Sequence, residues 1–220
     1  MGDRAWLARF ETTRDAAAWA EAVRERRWPG VADVVAAYRS AAVFAARDAD
    51  DLDAIEANLM AEPVPGGRSA VGRSVRVPVL YDGEDLAEVA DRVGLTVEEV
   101  IRTHAGTGYT VRAIGFLPGF PYLGELPGPL SGLPRRAHPR ARVPAGSVAI
   151  AGQQTGIYPG ESPGGWHLIG RTPVVLADPA RGYFAMGVGD RVRFEPIGPG
   201  RFEALRGLLL DDEAVGAVGT

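Results

Sequence analysis

Two residue types are missing from this 220-residue chain, and a third kind of segment is absent. There is no cysteine, which removes disulfides, thiolate zinc sites, iron–sulfur clusters and cysteine nucleophiles together. There is no lysine either, because all 24 basic residues are arginine. That excludes a phosphate loop of the Walker type, a Schiff-base enzyme and a biotin-carrying lysine, since each needs a primary amine and arginine stays protonated. No apolar run approaches the ~18 residues that span a bilayer, and the acidic start has no basic segment of the secretory type. The expected location is the cytoplasm, away from membranes.

What is present fits a globular protein: 46% hydrophobic and 24% charged residues, with a formal charge of −4 that argues against a broad nucleic-acid footprint. Residues 1–62 suggest a small α+β domain. A strand at Trp6–Phe10 is followed by a helix carrying Ala16, Trp19, Ala20 and Val23 at helical spacing, capped by Thr13 or Asp15, and by a hairpin of Val31–Tyr38 and Ala41–Ala46. A second helix starting at Asp50 or Asp51 carries Ile55 and Leu59. Proline, glycine and small polar residues mark a linker over 63–73. A second domain over 74–205 starts with a strand at Ser74–Leu80. Two short helices follow, Asp85–Arg92 and Thr96–His104, the second opened by a Thr96/Glu99 capping box, and then a strand at Tyr109–Ile114. Residues 206–220 read as a tail, with a short helix at Leu205–Leu210 beginning just before it.

Residues 115–173 hold 12 glycines and 10 prolines, which excludes regular helix. Aromatic, branched and arginine residues interleave with them, so short strands and loops of a β-barrel are expected, closed by strands at Val174–Leu176, Tyr183–Met186 and Arg191–Phe194. Five arginines against two glutamates make the segment attractive to anions.

Several constellations can be weighed here. Gly160-Glu161-Ser162-Pro163-Gly164 fits the pattern of a serine-hydrolase elbow. Pro163 has no N–H for an oxyanion, however, and glycines follow where a helix should, so the match is rejected. His104, His138 and His167 lack the spacing of metal ligands, so no metal is expected; His104 reads as a helix end, where its positive form would favour the dipole. Arg135 and Arg140 sit on a proline-stiffened stretch and suit a carboxylate or phosphate, or else loop carbonyls. Gln153, Gln154, Thr155 and Tyr158 offer neutral hydrogen bonds suited to an amide or lactam, or else cap a turn. The expected site joins Arg135 and Arg140 to that turn. Phe116, Phe120, Tyr122 and Trp166 form either a partner surface or a plug for one end of the barrel, and the partner surface is the expectation carried forward.

Taken in order, Gly115-Phe116-x-Pro118-Gly119-Phe120-Pro121-Tyr122-Leu123, Pro134-Arg135, Pro139-Arg140, Val143-Pro144-Ala145-Gly146-Ser147-Val148, Gly156-Ile157-Tyr158-Pro159 and Ser162-Pro163-Gly164-Gly165-Trp166 resemble the KipI-like family, also known as the 5-oxoprolinase B subunits, allophanate hydrolase subunit 1 or carboxyltransferase domain subunits. Weaker matches extend the resemblance to Tyr81-Asp82-Gly83, Gly170-Arg171-Thr172-Pro173 and Gly2-Asp3-Arg4-Ala5. Two departures stand out: a start almost at Gly2-Asp3, which implies a shortened edge strand, and His138 where a small or hydroxyl residue is expected.

The resemblance implies an α+β fold with a small N-terminal domain and a cyclophilin-like β-barrel. It implies a subunit that opens 5-oxoproline to glutamate only with a KipA-like subunit and a LamB/YcsF-like subunit. ATP would be used by the assembled complex, no cofactor would be bound by this chain alone, and no catalytic residue is assigned. An inhibitor of a sensor histidine kinase and a subunit of the urea-carboxylase type are the alternatives.

Overall fold

The computed structural model describes residues 4–65 and 72–211, so Gly66 and Gly67 of the expected linker, the Gly2-Asp3 motif and most of the expected tail lie outside the described residues. The chain divides into two compact units, residues 1–72 and 73–220.

In the first unit, β1 (Ala5–Arg9), β3 (Ser40–Ala45) and β2 (Val31–Ala37) form an antiparallel sheet in the order β1-β3-β2. Strand alternation turns Val34, Ala36, Ala41 and Val43 to the buried face. Against β2 and β3 packs α1 (Thr13–Arg26), which buries Ala16, Trp19, Ala20 and Val23. Its cap is Thr12, whose hydroxyl accepts from the Asp15 N–H, and Arg27 ends it in the left-handed region. Asp51 caps α2 (Leu52–Ala61), which buries Ile55 and Leu59.

The second unit opens with β4 (Ser74–Val79), α3 (Leu86–Val93) and α4 (Val97–Gly106), the last with the Thr96/Glu99 capping box in place. Next come β5 (Gly108–Ile114), β6 (Pro121–Gly124), β7 (Arg140–Val143), β8 (Ser147–Ala151), β9 (Gln154–Ile157), β10 (Ser162–Gly164) and β11 (His167–Arg171). The unit ends with β12 (Ala177–Asp178), β13 (Tyr183–Phe184), β14 (Arg191–Pro196) and α5 (Pro199–Leu205).

The main ladder runs β4-β14-β5-β6-β9-β8-β11, with β4 and β14 parallel and the other pairs antiparallel. It encloses a core that includes Val77, Val111, Leu123, Ile150, Ile169 and Val192. β7 with β10 and β12 with β13 are separate small pairs.

A closed barrel was the expectation, and the ladder is not continuous around its circumference. Its outer strands β4 and β11 meet at one bridge, where Leu80 and Arg171 exchange two backbone hydrogen bonds of 2.9 Å. After Leu80 the chain turns across β11 instead of continuing along it. Gly83 makes that crossing fit: a Cβ there would lie 2.4 Å from the Leu168 carbonyl oxygen. Two shorter expectations also fail. Val174–Leu176 is not a strand, although Val175 makes an isolated bridge with Leu209. The last helix lies at Pro199–Leu205 instead of 205–210, because Pro199 suits a first turn and Gly207, at φ 79°, ends the helical path.

Candidate functional site

Three clusters in the second unit hold several of the residues singled out from the sequence. The first gathers on Asp85, the residue before α3. At a helix start its carboxylate would ordinarily cap the helix; here it makes no such bond and turns instead toward β11. Oδ2 accepts the Leu168 N–H at 2.7 Å, while the Leu168 carbonyl accepts the Asp85 N–H at 3.0 Å. This pair takes the place of the ladder bonds lost beyond Leu80. Oδ1 accepts Arg136 Nη1 at 2.6 Å and Arg140 Nη2 at 2.7 Å. Arg140 Nε also meets Glu84 at 2.6 Å, and Arg136 reaches Glu88 at 3.3 Å.

Arg140 is therefore committed to Glu84 and Asp85. Its partner in the expected site, Arg135, is exposed and in no ion pair among the described residues. Both guanidinium charges lie close enough to the Tyr158 hydroxyl to favour its ionised form, although burial, the larger effect, leaves it less acidic than an ordinary tyrosine.

The second cluster is a buried polar chain. Tyr81 Oη is 2.7 Å from His104 Nδ1, and His104 Nε2 is 2.9 Å from Thr155 Oγ1. The Thr155 hydroxyl donates to the Ala149 carbonyl at 3.0 Å, so it accepts from Nε2–H, and Nδ1 accepts the Tyr81 proton. His104 stacks on Phe194 with 4.5 Å between ring centroids. Complete burial penalises the imidazolium and lowers the His104 pKa to about 3. The expected helix-end histidine is thus in the last turn of α4 but neutral, and it does not serve the dipole.

Thr155 cannot serve as a ligand contact, because its side chain is fully buried and bonded within the core. Gln153 is exposed on the turn, where its carbonyl accepts the Leu126 N–H, and Gln154 is half-buried in β9. The residues of this turn therefore diverge: one faces the core and its neighbours do not. Ser162, of the rejected elbow pattern, lies in β10 with its hydroxyl 3.1 Å from the Pro163 carbonyl.

The third cluster is aromatic. Phe120 stands at its centre, with ring centroids 4.9 Å from Tyr122, 5.1 Å from Tyr158 and 5.7 Å from Trp166. Phe120 is 2% exposed and Trp166 5%, so these two expected interface residues are core of this chain and cannot meet a partner directly. Tyr122 is half-buried, and Phe116 alone of the four stands out at 61% exposure.

From sequence, Asp85 reads as nothing beyond a helix start. The one local signal is the acidic pair Glu84-Asp85 after the Tyr81-Asp82-Gly83 motif. Among the described residues no group of three histidine, aspartate or glutamate side chains is disposed to hold a metal. No helix there is long and apolar enough to cross a membrane.

A mixed unit of this architecture, with an arginine loop fastened to a buried aspartate, is the setting in which the comparisons with known proteins fall. The chain belongs to the family described as carboxyltransferase domain, subdomain C and D, whose pattern matches residues 1–186. Within that family it is 52% identical over 128 residues to the 5-oxoprolinase B subunit of Escherichia coli O157:H7, a match covering 56% of this chain and 58% of that protein. The chain thus matches little more than half the length of this curated relative.

Among solved structures, TTHA0988 is 44% identical with a TM-score of 0.80, over 89% of this chain and 40% of that one. The urea carboxylase of Kluyveromyces lactis shares the fold at 17% identity, with a TM-score of 0.68 over 92% of this chain and 22% of that one.

Proposed function

We propose that the chain is the B subunit of an ATP-dependent 5-oxoprolinase, a hydrolase that opens the cyclic amide 5-oxoproline to glutamate and works only as an assembly with a KipA-like and a LamB/YcsF-like subunit. The observation that carries this is the 52% identity to a protein bearing that name, inside a family match that covers most of the chain. The clusters support a subordinate role: the Thr155 and Ser162 hydroxyls are spent on carbonyl oxygens, and His104 is locked neutral between two hydroxyls. Without lysine the chain has no phosphate loop of the Walker type, which supports a reading in which ATP is handled elsewhere in the complex.

The finer architecture belongs to the same proposal: an N-terminal α+β domain and a cyclophilin-like barrel, working in the cytoplasm. Of the expected substrate contacts the exposed Arg135 and Gln153 remain the candidates, since Arg140 is paired to Glu84 and Asp85 and Tyr158 is 2% exposed. The urea-carboxylase likeness is one of fold, and nothing in the clusters favours it over the first reading. The test is co-purification with the two partner proteins followed by an assay for ATP-dependent glutamate release. Activity is expected from the assembly and none from this chain alone. Glutamate release by the isolated chain at the rate of the complex would overturn the dependence on partners.

A further inference from the structure

Among the described residues of the second unit, two large apolar side chains are exposed, Phe116 at 61% on the 115–120 loop and Phe184 at 46% on the β12–β13 hairpin that this loop packs against. The link between them is Gly119, at φ 80°: a Cβ there would lie 2.5 Å from Ala177 Cβ and 3.3 Å from the Phe184 ring. Only glycine lets the 115–120 loop sit this close to the β12–β13 hairpin, and the exposed Phe116 and Pro118 of the loop thereby share adjoining segments with the exposed Phe184 of the hairpin.

Phe116 is also held in the left-handed region at φ 69°, which a bulky residue rarely adopts. Two hydrogen bonds fix the loop, Gly115 N–H to the Phe120 carbonyl and Phe120 N–H to the Leu117 carbonyl. Its ring touches Phe120 and Tyr158 edge-on and leaves most of its surface in water. For the isolated chain this is unfavourable twice over, in backbone conformation and in hydration. Such a residue is retained where the rest of the structure over-determines it, as at binding surfaces.

Two exposed arginines stand on segments near these elements. Arg135 acts on the hydroxyl of Tyr158, the ring that Phe116 touches, and is in no ion pair among the described residues. Arg181, exposed on the turn of the β12–β13 hairpin, meets Asp178 only at 3.4 Å.

We propose that this patch seats a protein partner whose docking surface is apolar at its centre and acidic at its rim. The partner is a protein homologous to the part of TTHA0988 that lies outside the shared fold. That fold accounts for 40% of the TTHA0988 polypeptide, so there it is carried together with a large further protein body. The proposal rests on the reading of this chain as one subunit of an assembly, and it names the face through which the subunit is held. A preformed aromatic anchor ringed by charge is the usual anatomy of such a contact: the rings supply binding energy at little ordering cost, and the charges steer the approach.

The experiment measures binding between this chain and the separately produced homologue of the TTHA0988 remainder, by calorimetry and by association rate at two salt concentrations. Phe116→Ala and Phe184→Ala are each expected to weaken binding about 30-fold or more with the melting temperature held, the size expected of interface anchors. Arg135→Glu combined with Arg181→Glu is expected to slow association and flatten its salt dependence.

Binding by the two phenylalanine variants as tight as that of the parent protein would overturn the proposed seat while leaving the subunit reading intact. Absence of binding by the parent protein would overturn the subunit reading and the occupant together. Self-association of the parent chain that Phe116→Ala abolishes would identify a second copy as the occupant and overturn the proposal.

Discussion

The arginine loop at residues 134–140 and the aromatic loop at 115–123 are built from the same materials, prolines and glycines stiffening a few large side chains, and they end up opposite in character. In the arginine loop two of three guanidinium groups turn inward onto one buried carboxylate, which looks from sequence like ligand-binding equipment and is spent on structure. In the aromatic loop the reverse happens at one position: Phe120 is core, while Phe116 is left in water. Residue type therefore tells less than the presence of a distant partner. Asp85 was there to claim the arginines, and nothing in the described chain covers Phe116.

The contrast can be broken from either side. Removing Asp85 has one of the largest expected effects, because Asp85→Ala leaves Arg136 and Arg140 facing an emptied site and frees the Leu168 N–H. A loss of about 3–5 kcal/mol is expected, read as a lower denaturation midpoint. A mere surface ion pair would give under about 1 kcal/mol.

Phe120→Ala tests the other loop and should also cost about 3–5 kcal/mol, since it empties the middle of a ring cluster. A small loss would mean that this layer is loosely packed and that the inner and outer rings of the loop do not differ as described.

Next in size is a pH effect of the buried chain. His104 is neutral in the folded protein down to a pKa of about 3 and takes up a proton near its ordinary 6.5 when unfolded. Between these values the unfolded state binds more protons, so stability falls by about 1.4 kcal/mol for each pH unit as the pH is lowered. Glu203, whose carboxyl the Arg206 guanidinium holds below its ordinary range, adds to the slope below about pH 4. His104→Gln should lower stability at neutral pH yet flatten the curve between pH 6 and 4.5; an unchanged slope there would mean the imidazole is not held neutral.

The smallest effect is expected at the open position. Phe116→Ala should change stability by no more than about 0.5 kcal/mol, as checked by thermal melting, because little of its ring is buried.

How far these features were legible from the residues follows the same division. The Thr96/Glu99 box, the hairpin of β2 and β3 and the helix faces of Ala16, Trp19 and Val23 depend on neighbours a few positions away, and all could be read from the chain. The expected meeting of Arg135 and Arg140 with the Gln153-Gln154-Thr155 turn depended on partners far along the chain. Arg140 went to Glu84 and Asp85, and Thr155 to His104. Strand period alone could have flagged Thr155 as inward, since it alternates with the more exposed Gln154 in β9, but no local pattern marks an imidazole waiting on the other side of the core.

The single bridge at Leu80 and Arg171, with β4 lying parallel to β14, has a consequence for how the protein is made. The first strand of the second unit cannot be paired in that ladder until one of its last strands has been synthesised. On the ribosome β4 must wait with its edge bare while most of the unit emerges, and strand pairing of such long range is slow. The arginine and proline in β4, Arg76 and Pro78, stand on the strand that waits longest, and both residue types discourage a bare edge from pairing with another chain.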